Sequence, residues 1–240
     1  MASFSGAGRA PIALRGTGRR MAERFQNRID AGRRLAARLV AYAGRDDVLV
    51  LGLPRGGVPV AFEIAMALDA PLDVFIVRKL GLPGHEEFGI GAIASGDVRV
   101  VDAAVLRAYD VDPEALERIT ARERLELDRR ERLYRDDRPF PTIEDRVVIL
   151  VDDGLATGST MRAAIAALRR KHPSKIVVAV PVGAPETCTA MAQLVDEVVC
   201  LDTPDPFYAV GLWYEDFEQT GDAEVHELLE RAAVRTAKPR

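Results

Sequence analysis

Residues 147–161 have the sequence VVILVDDGLATGSTM, in which five apolar residues run into two adjacent aspartates and then a loop rich in glycine and hydroxyl residues. A run of consecutive apolar residues is typical of a strand that is buried on both faces of a parallel sheet. Neighbouring carboxylates repel each other, so a folded chain usually keeps such a pair for solvent, a cation or a polyhydroxylated ligand. The stretch therefore predicts a central strand that ends in a ligand-binding loop.

The loop after Asp152 and Asp153 has the composition of a phosphate-binding site. It immediately precedes a predicted helix, so backbone N–H groups, hydroxyls and the helix dipole together could hold a phosphate. It is not a Walker A loop, because no lysine follows its second glycine, and the dinucleotide motif G-x-G-x-x-G is also missing. The two carboxylates could accept hydrogen bonds from ribose hydroxyls, or they could be solvent-facing acids at an ordinary strand–turn–helix junction. The loop residues are Gly154, Leu155, Ala156, Thr157, Gly158, Ser159 and Thr160.

Other apolar runs alternate with helical patterns along the chain, which predicts an α/β fold with a mostly parallel sheet flanked by helices. Sheets of this kind bind ligands beyond the carboxyl ends of their strands. We expect one domain over residues 21–240. The remaining strands are predicted at 48–53, 73–79, 98–101, 175–181 and 197–201, and the helices at 21–42, 58–68, 112–135, 161–170 and 185–194.

The helix at about 112–135 begins with Asp112 as N-cap and Pro113 at its first position, and it is dense in arginine and glutamate. Charged residues at this density predict a solvated helix with ion pairs between positions four residues apart. Residues 1–20 carry four arginines and no acid, without the apolar segment of a secretory signal. We expect them to be a disordered tail, with an organellar transit peptide as the alternative.

Bulk composition restricts the class of function. The chain of 240 residues has a net charge of -4, which gives no general attraction to nucleic acid. Its apolar runs are shorter than the roughly 18 residues of a membrane span, so no membrane association is expected. The two cysteines, Cys188 and Cys200, have no metal-ligand spacing and are interpreted as core residues of a cytoplasmic protein.

Two further strand ends carry cations and glycines. Residues 53–59, LPRGGVP, contain adjacent glycines that let backbone N–H groups approach an anion, and Arg55 is a planar cation suited to phosphate. Arg78 and Lys79 end the strand at 73–79, and the glycine-rich segment 81–91 that follows is expected to be a mobile flap. The alternatives are a plain tight turn and a solvated strand end.

The stretch VILVDDGLATGST resembles the signature of type I phosphoribosyltransferases, LPRGG resembles their pyrophosphate loop, and VRK resembles their basic residues after the second strand. The resemblance spans roughly residues 48–217, and the helix at 112–135 resembles an insertion. It implies that the ligand is 5-phosphoribosyl 1-diphosphate (PRPP) with Mg²⁺ carried on it. It also implies that Asp152 and Asp153 hold the ribose hydroxyls, that residues 156–160 hold the 5′-phosphate, and that a cis peptide occurs near Arg55–Gly56. The residues implied to face the diphosphate are Arg55, Gly56, Gly57, Arg78 and Lys79.

The reaction implied is displacement of pyrophosphate by a nitrogen nucleophile, and the resemblance leaves the acceptor open. Ala156 stands where the hypoxanthine–guanine enzymes carry an aspartate, and the loop resembles that of adenine-specific members. In those members a flap glutamate handles the proton, which makes Glu87 the candidate and Glu86 its competitor. Residues 203–217 resemble instead the hood of the hypoxanthine–guanine enzymes, although their aromatics could simply pack on the core. In the hood, Phe207 or Tyr208 would stack on a base, Val210 would offer backbone contacts and Asp216 would bind its edge.

The leading hypothesis is a Mg²⁺-dependent phosphoribosyltransferase of nucleotide salvage or a related pathway that acts on PRPP and a nucleobase. A homodimer is possible by the same resemblance. One alternative is a regulator that senses PRPP without turning it over. The other is an Asp-dependent phosphotransferase, for which two aspartates at a strand end are also suggestive.

Overall fold

The computed structural model of the chain describes residues 23–136 and 138–236, so the expected tail at 1–20 lies outside the described residues. Its strands are β1 (Val48–Gly52), β2 (Leu72–Val74), β3 (Val77–Leu82), β4 (His85–Ala94), β5 (Val98–Val101), β6 (Val147–Val151), β7 (Lys175–Val182) and β8 (Glu197–Asp202). Its helices are α1 (Arg28–Ala36), α2 (Gly57–Leu68), α3 (Ala103–Ala108), α4 (Pro113–Arg135), α5 (Ser159–Arg169), α6 (Pro185–Met191) and α7 (Asp222–Thr236). None of the helices in this part of the chain is long and apolar enough to cross a membrane.

A five-stranded parallel sheet in the order β2-β1-β6-β7-β8 forms the centre of the fold, which confirms the predicted α/β class. Successive side chains of a strand point to opposite faces. Accordingly, Val48 and Val50 of β1 pack with α1 and α2, whereas Leu49 and Leu51 pack with α5 and α6. Burial of both sets explains why the strand sequences are apolar throughout. Cys188 is buried and Cys200 half-buried beside this second set, as predicted.

The predicted strand at 73–79 is wrong as a single element, because the chain changes sheet within it. β2 belongs to the parallel sheet, and β3 begins a separate antiparallel sheet in the order β3-β4-β5. Between them, the N–H of Phe75 donates to Gly52 O at 3.0 Å, and the N–H of Ile76 donates to Ser95 Oγ at 3.1 Å. The apolar run continues through this change, so its composition gives no sign of it.

The glycine-rich segment 81–91, predicted as a flap loop, forms most of a hairpin between β3 and β4 with an irregular register at Gly81. A Cβ on Gly81 would overlap the backbone of Glu86, so the close approach of the two strands requires glycine there. The antiparallel sheet of β3, β4 and β5 is called the flap sheet below.

Helix α4 is solvated on one face only. Asp112 caps it by accepting from the N–H groups of Glu114 and Ala115, and ion pairs join residues four apart, as predicted. The expectation of a solvated helix is correct for that face alone, because an apolar side packs against the flap sheet and α7. The apolar residues are spaced too widely among charges to stand out. The buried residues of α4 are Leu116, Glu123, Leu127, Tyr134 and Arg135.

The first helix begins at Arg28, later than the predicted start near residue 21. Asn27 is its N-cap, with Oδ1 accepting from the N–H of Asp30 at 3.0 Å. Before the cap, Phe25 is extended and pairs with Tyr214, donating its N–H to Trp213 O at 2.9 Å. This pairing joins the segment before α1 to the stretch 203–217, which is called the hood below.

Candidate active site

The loops after β1 and β6 lie side by side, because these two strands are parallel neighbours in register. They are called the β1 loop (residues 53–56) and the β6 loop (residues 152–158). A Cβ on Gly56 would overlap the carboxylate of Asp153, and one on Gly57 would lie 2.7 Å from Val151 O and 2.9 Å from the Cα of Asp152. The paired glycines therefore allow the two loops to touch. The cis peptide lies between Pro54 and Arg55, one bond before the expected one.

Asp152 and Asp153 are half-buried at the end of β6. Oδ1 of Asp152 accepts from the N–H of Asp153 at 2.9 Å, and Oδ2 of Asp153 accepts from Arg28 Nε at 2.9 Å and Nη2 at 2.8 Å. Burial raises the pKa of Asp152 well above its usual range, and the neighbouring Asp153 raises it further. Burial also raises the pKa of Asp153, although Arg28 acts against that increase. The second oxygen of each carboxylate can accept a hydrogen bond from a ligand.

The β6 loop is held from below by β7 and α6. The N–H of Leu155 donates to Val182 O at 2.9 Å, and Thr187 Oγ1 donates to Ala156 O at 2.7 Å. Gly158 has a φ of 69°, a left-handed conformation that favours glycine, and it precedes the 11-residue helix α5. The first N–H groups of a helix have no partner within the helix and can bind an anion. The loop and α5 thus form a candidate anion site beside the two carboxylates.

Two of the predicted cations form ion pairs with acids on helices α4 and α7. Arg55 Nη1 lies 3.8 Å from Asp222 Oδ1 on α7, and Arg78 donates to Glu123 Oε2 on α4 at 2.9 Å and 2.6 Å. A diphosphate would therefore compete with these carboxylates for Arg55 and Arg78. The partner of Arg78 is largely buried in α4, whereas the Arg55 pair is longer and more exposed.

Lys79 is exposed on β3 and lines a cavity of about 720 Å³ between the flap sheet and α5. Ser159 and Arg162 line the same cavity, and Arg162 Nη2 donates to Thr157 O at 2.9 Å. The structure therefore brings Lys79 to the side of the β6 loop on which α5 begins.

The proposed proton-handling residues, Glu86 and Glu87, are exposed on β4 of the flap sheet. Phe88 follows them and packs on Tyr109, with ring centroids 5.2 Å apart. The two glutamates therefore come from a different sheet than the aspartates of the β6 loop.

The hood contacts the β6 loop through Val210. A Cβ on Gly154 would overlap the side chain of Val210, so glycine is required for this contact. Phe207 packs in a small apolar cluster with Phe25 and Tyr214, whereas Tyr208 is 80% exposed. Among the residues proposed for the acceptor, Val210 is thus the one placed directly against the loop.

Asp216 lies elsewhere in the hood. Its Oδ1 accepts from the N–H of Glu218 at 3.0 Å, and it lines a separate cavity of about 220 Å³ with Asn27 and Pro59. Its proposed contact with a base stays a prediction.

Several residues that shape this site were not identified from the sequence. Arg28 is one of several arginines between residues 24 and 38, and nothing in the helical pattern indicates which of them faces the aspartates. Tyr214 donates its hydroxyl to Asp153 O at 2.6 Å, although as an aromatic of the hood it offered no sign of this role. Thr187 and Arg162 support the loop from positions whose relation to it is visible only in three dimensions.

Comparison with known proteins identifies the family of the chain. The protein "Putative phosphoribosyl transferase Rv0571c" of Mycobacterium tuberculosis is 47% identical over 208 residues, which is 87% of this chain and 47% of that protein. The chain thus spans about half the length of the curated relatives it matches. The crystal structure of TT1426 from Thermus thermophilus is 43% identical, with a TM-score of 0.78 over 87% of this chain and 98% of that one. Residues 21–211 match the family described as "Phosphoribosyl transferase domain", and the chain therefore belongs to the phosphoribosyl transferase family.

Proposed function

We propose that this chain transfers the phosphoribosyl group of PRPP to a ring nitrogen of a nucleobase. The observation that carries the proposal is the contact between Gly56 of the β1 loop and the carboxylate of Asp153. At this contact three features lie close together. They are a glycine-rich loop suited to diphosphate, two carboxylates suited to a diol, and the candidate anion site at the start of α5. PRPP carries these three chemical groups on one ribose.

Each group of the donor has a candidate partner. Oδ2 of Asp152 and Oδ1 of Asp153 would accept hydrogen bonds from the 2′- and 3′-hydroxyls, because the other oxygen of each is bound within the protein. Residues 156–160 would hold the 5′-phosphate, and the diphosphate would face the β1 loop. Arg55 would exchange Asp222 for the diphosphate, a change favoured by the length of the present ion pair, 3.8 Å.

The site fits a magnesium ion that arrives on the donor. Mg²⁺ is usually held by one or two carboxylates together with substrate phosphates and water. Among the described residues, the one group of acids and histidine close enough to hold a metal by itself consists of Asp136, directly after α4, and His226 and Glu230 of α7. When bound with PRPP, Mg²⁺ would stabilise the negative charge of the departing diphosphate.

In the proposed reaction the bond between C1′ and the diphosphate oxygen breaks, and its electron pair leaves with the diphosphate. A bond forms between C1′ and the acceptor nitrogen, whose proton passes to a base. Positive charge that develops on the ribose would be stabilised by Asp152 and Asp153 beneath the ring. Glu87 is the proposed base, brought over the site by closure of the flap sheet, which would also exclude water.

The acceptor is proposed to bind between the β6 loop and the hood. Val210 packs against Gly154 and would border the base, and the exposed ring of Tyr208 is available for stacking. Ala156 offers no acid, and Asp152 and Asp153 are assigned to the ribose, so another element would accept the proton, which supports the role given to Glu87.

The proposal is tested by measuring pyrophosphate release from PRPP and Mg²⁺ over a panel of purines and pyrimidines. We expect release with at least one base and loss of that release when Asp152 and Asp153 are replaced. Tight PRPP binding without release on any base would support a PRPP-sensing protein instead. Failure to bind PRPP at all would contradict the proposal.

A further inference from the structure

Arg28 is the first residue of α1, and its side chain is enclosed between the β6 loop and the hood. Its Nε and Nη2 bind Oδ2 of Asp153, its Nη1 donates to Glu218 O at 2.6 Å, and its guanidinium lies 3.9 Å from the ring centroid of Phe217. The side chains of Arg28 and Asp153 are 11% and 16% exposed. One cation therefore joins a carboxylate of the candidate donor site to Phe217, the last residue of the hood, and to Glu218 directly after it.

These contacts determine which oxygen of Asp153 remains for a ligand. Both nitrogens of Arg28 bind the same oxygen, and the close approach of Gly56 encloses that oxygen on another side. The backbone of Asp153 is held independently by the hydroxyl of Tyr214. With Oδ2 engaged and the backbone fixed, Oδ1 is the oxygen that can accept a hydroxyl of the donor.

We infer that Arg28 is a positioning residue that sets the orientation of Asp153 toward the ribose and makes donor binding depend on the position of the hood. The inference rests on the proposed function, because it assumes that PRPP is the donor. It goes further in assigning a role to the N-terminal helix and in linking the two substrates through a single side chain. Loss of the ring or carbonyl that holds Arg28 would then weaken donor binding, although neither group touches the donor.

The same geometry predicts that PRPP affinity depends on pH. The charged or titratable groups that face Asp153 are Arg28 from α1, Asp152 from its own loop, and Tyr214 from the hood. Burial raises the pKa of Asp153, and Arg28 opposes that increase. Removing Arg28 would take away the largest influence that opposes burial, so the carboxyl would stay protonated to higher pH and would lose part of its capacity to accept the ribose hydroxyl.

The test is calorimetric titration of PRPP with Mg²⁺ into the full chain and its variants at several pH values. For Arg28→Met we expect PRPP affinity to fall by about tenfold at pH 7, the effect typical of losing a charge-assisted hydrogen bond. The acid limb of the affinity profile should also move to higher pH. Arg28→Lys keeps a positive charge and should recover part of both effects. The matched control is Arg33→Met on the same helix, whose side chain is 71% exposed and pairs with Glu63, and it should leave PRPP affinity unchanged.

A double-mutant cycle tests the link to the hood. Phe217→Leu should weaken PRPP binding in the wild-type background and have little effect in the Arg28→Met background, because its action passes through Arg28. If Arg28→Met fails to fold by circular dichroism, Arg28→Gln, which also removes the charge, takes its place in the cycle.

Two results would overturn the inference while leaving the proposed function standing. The first is wild-type PRPP affinity and an unchanged pH profile in Arg28→Met. The second is an equal effect of Phe217→Leu in both backgrounds. A wild-type protein that binds no PRPP would overturn the proposed function and this inference with it.

Discussion

Gly56 lies so close to Asp153 that a methyl group on its Cα would overlap the carboxylate. This contact is the point at which the β1 and β6 loops meet, and a parallel sheet produces it by placing the ends of β1 and β6 side by side. Arg28 holds this carboxylate in place, so the carboxylate has little freedom to move away from a side chain added at Gly56.

Gly56→Ala should therefore lower both stability and PRPP affinity. Overpacking of this kind costs about 1–3 kcal/mol, measurable as a reduced free energy of unfolding in urea. Gly221→Ala is the matched control, since an added Cβ there meets no atom within 4 Å. Equal PRPP affinity in Gly56→Ala and wild type would mean that the two loops do not meet as described.

The contact between Gly154 and Val210 can be tested by a damaging substitution and a second one that should compensate for it. Gly154→Ala should displace the hood, because the new methyl would overlap the side chain of Val210. Adding Val210→Ala removes the overlapping methyl groups and should restore part of the lost stability and of the acceptor affinity. Thermal unfolding and base titrations in the presence of PRPP would measure both. A double variant no better than the single one would argue against direct packing of the hood on the loop.

Asp152 should reduce the stability of the fold at neutral pH. Its folded-state pKa is raised by burial and by Asp153, so the unfolded chain releases this proton at a lower pH than the folded chain does. Stability consequently falls as pH increases from the ordinary aspartate range through the raised pKa, at about 1.4 kcal/mol for each pKa unit of difference.

Asp152→Asn cannot ionise, and its amide oxygen can still accept from the N–H of Asp153. Its Tm should exceed that of wild type at pH 8, by about 2–4 °C for each kcal/mol of stability gained. Near pH 3 the two Tm values should become similar. PRPP affinity should fall in the same variant. A Tm below wild type at pH 8 would show that the carboxylate is not under the electrostatic penalty inferred for it.

Arg135 should be the most important charged residue for anchoring α4. It is buried, donates to Asp73 Oδ1 at 2.7 Å and to Val74 O at 2.6 Å, and lies where the chain passes from β2 to β3. Burial raises the pKa of Asp73 while Arg135 opposes that change, so removing the arginine would leave a buried carboxyl without its cation.

Arg135→Met should cost about 3–5 kcal/mol, the usual effect of breaking a buried ion pair from one side. Urea unfolding would measure this, with Arg132→Met as the control, because Arg132 is exposed on the same helix and its side chain donates to the backbone oxygen of Asp128. Similar unfolding free energies for the two variants would contradict the anchoring role.

The parts of this fold that sequence could predict are those encoded by adjacent residues. The strands at 48–52 and 147–151 follow from continuous apolar runs, and the loop after β6 follows from the order of acids, glycines and hydroxyl residues. The split of the predicted strand at 73–79 was not predictable, because Phe75 and Ile76 are as apolar as the strands on either side. At the split the N–H of Ile76 donates to Ser95, which lies in the turn between β4 and β5 and is distant in sequence.

In the candidate site, too, some residues are recognisable from local sequence and others are not. Asp152 and Asp153 are recognisable because they follow their strand directly, whereas Arg28 reaches Asp153 across 125 positions of sequence. Helical periodicity gives the face of α1 that packs on the sheet but not which arginine beyond that face meets a loop. The ion pairs of Arg55 with Asp222 and of Arg78 with Glu123 likewise depend on how α4 and α7 pack, which local composition does not encode.

Calorimetric titration of PRPP with Mg²⁺ into wild type and the Asp152→Asn, Asp153→Asn double variant would show whether these two aspartates bind the ribose of PRPP. We predict saturable binding to wild type and a loss of at least about tenfold in affinity for the double variant, whose circular dichroism should match wild type. Equal PRPP affinity in the two folded proteins would contradict the account.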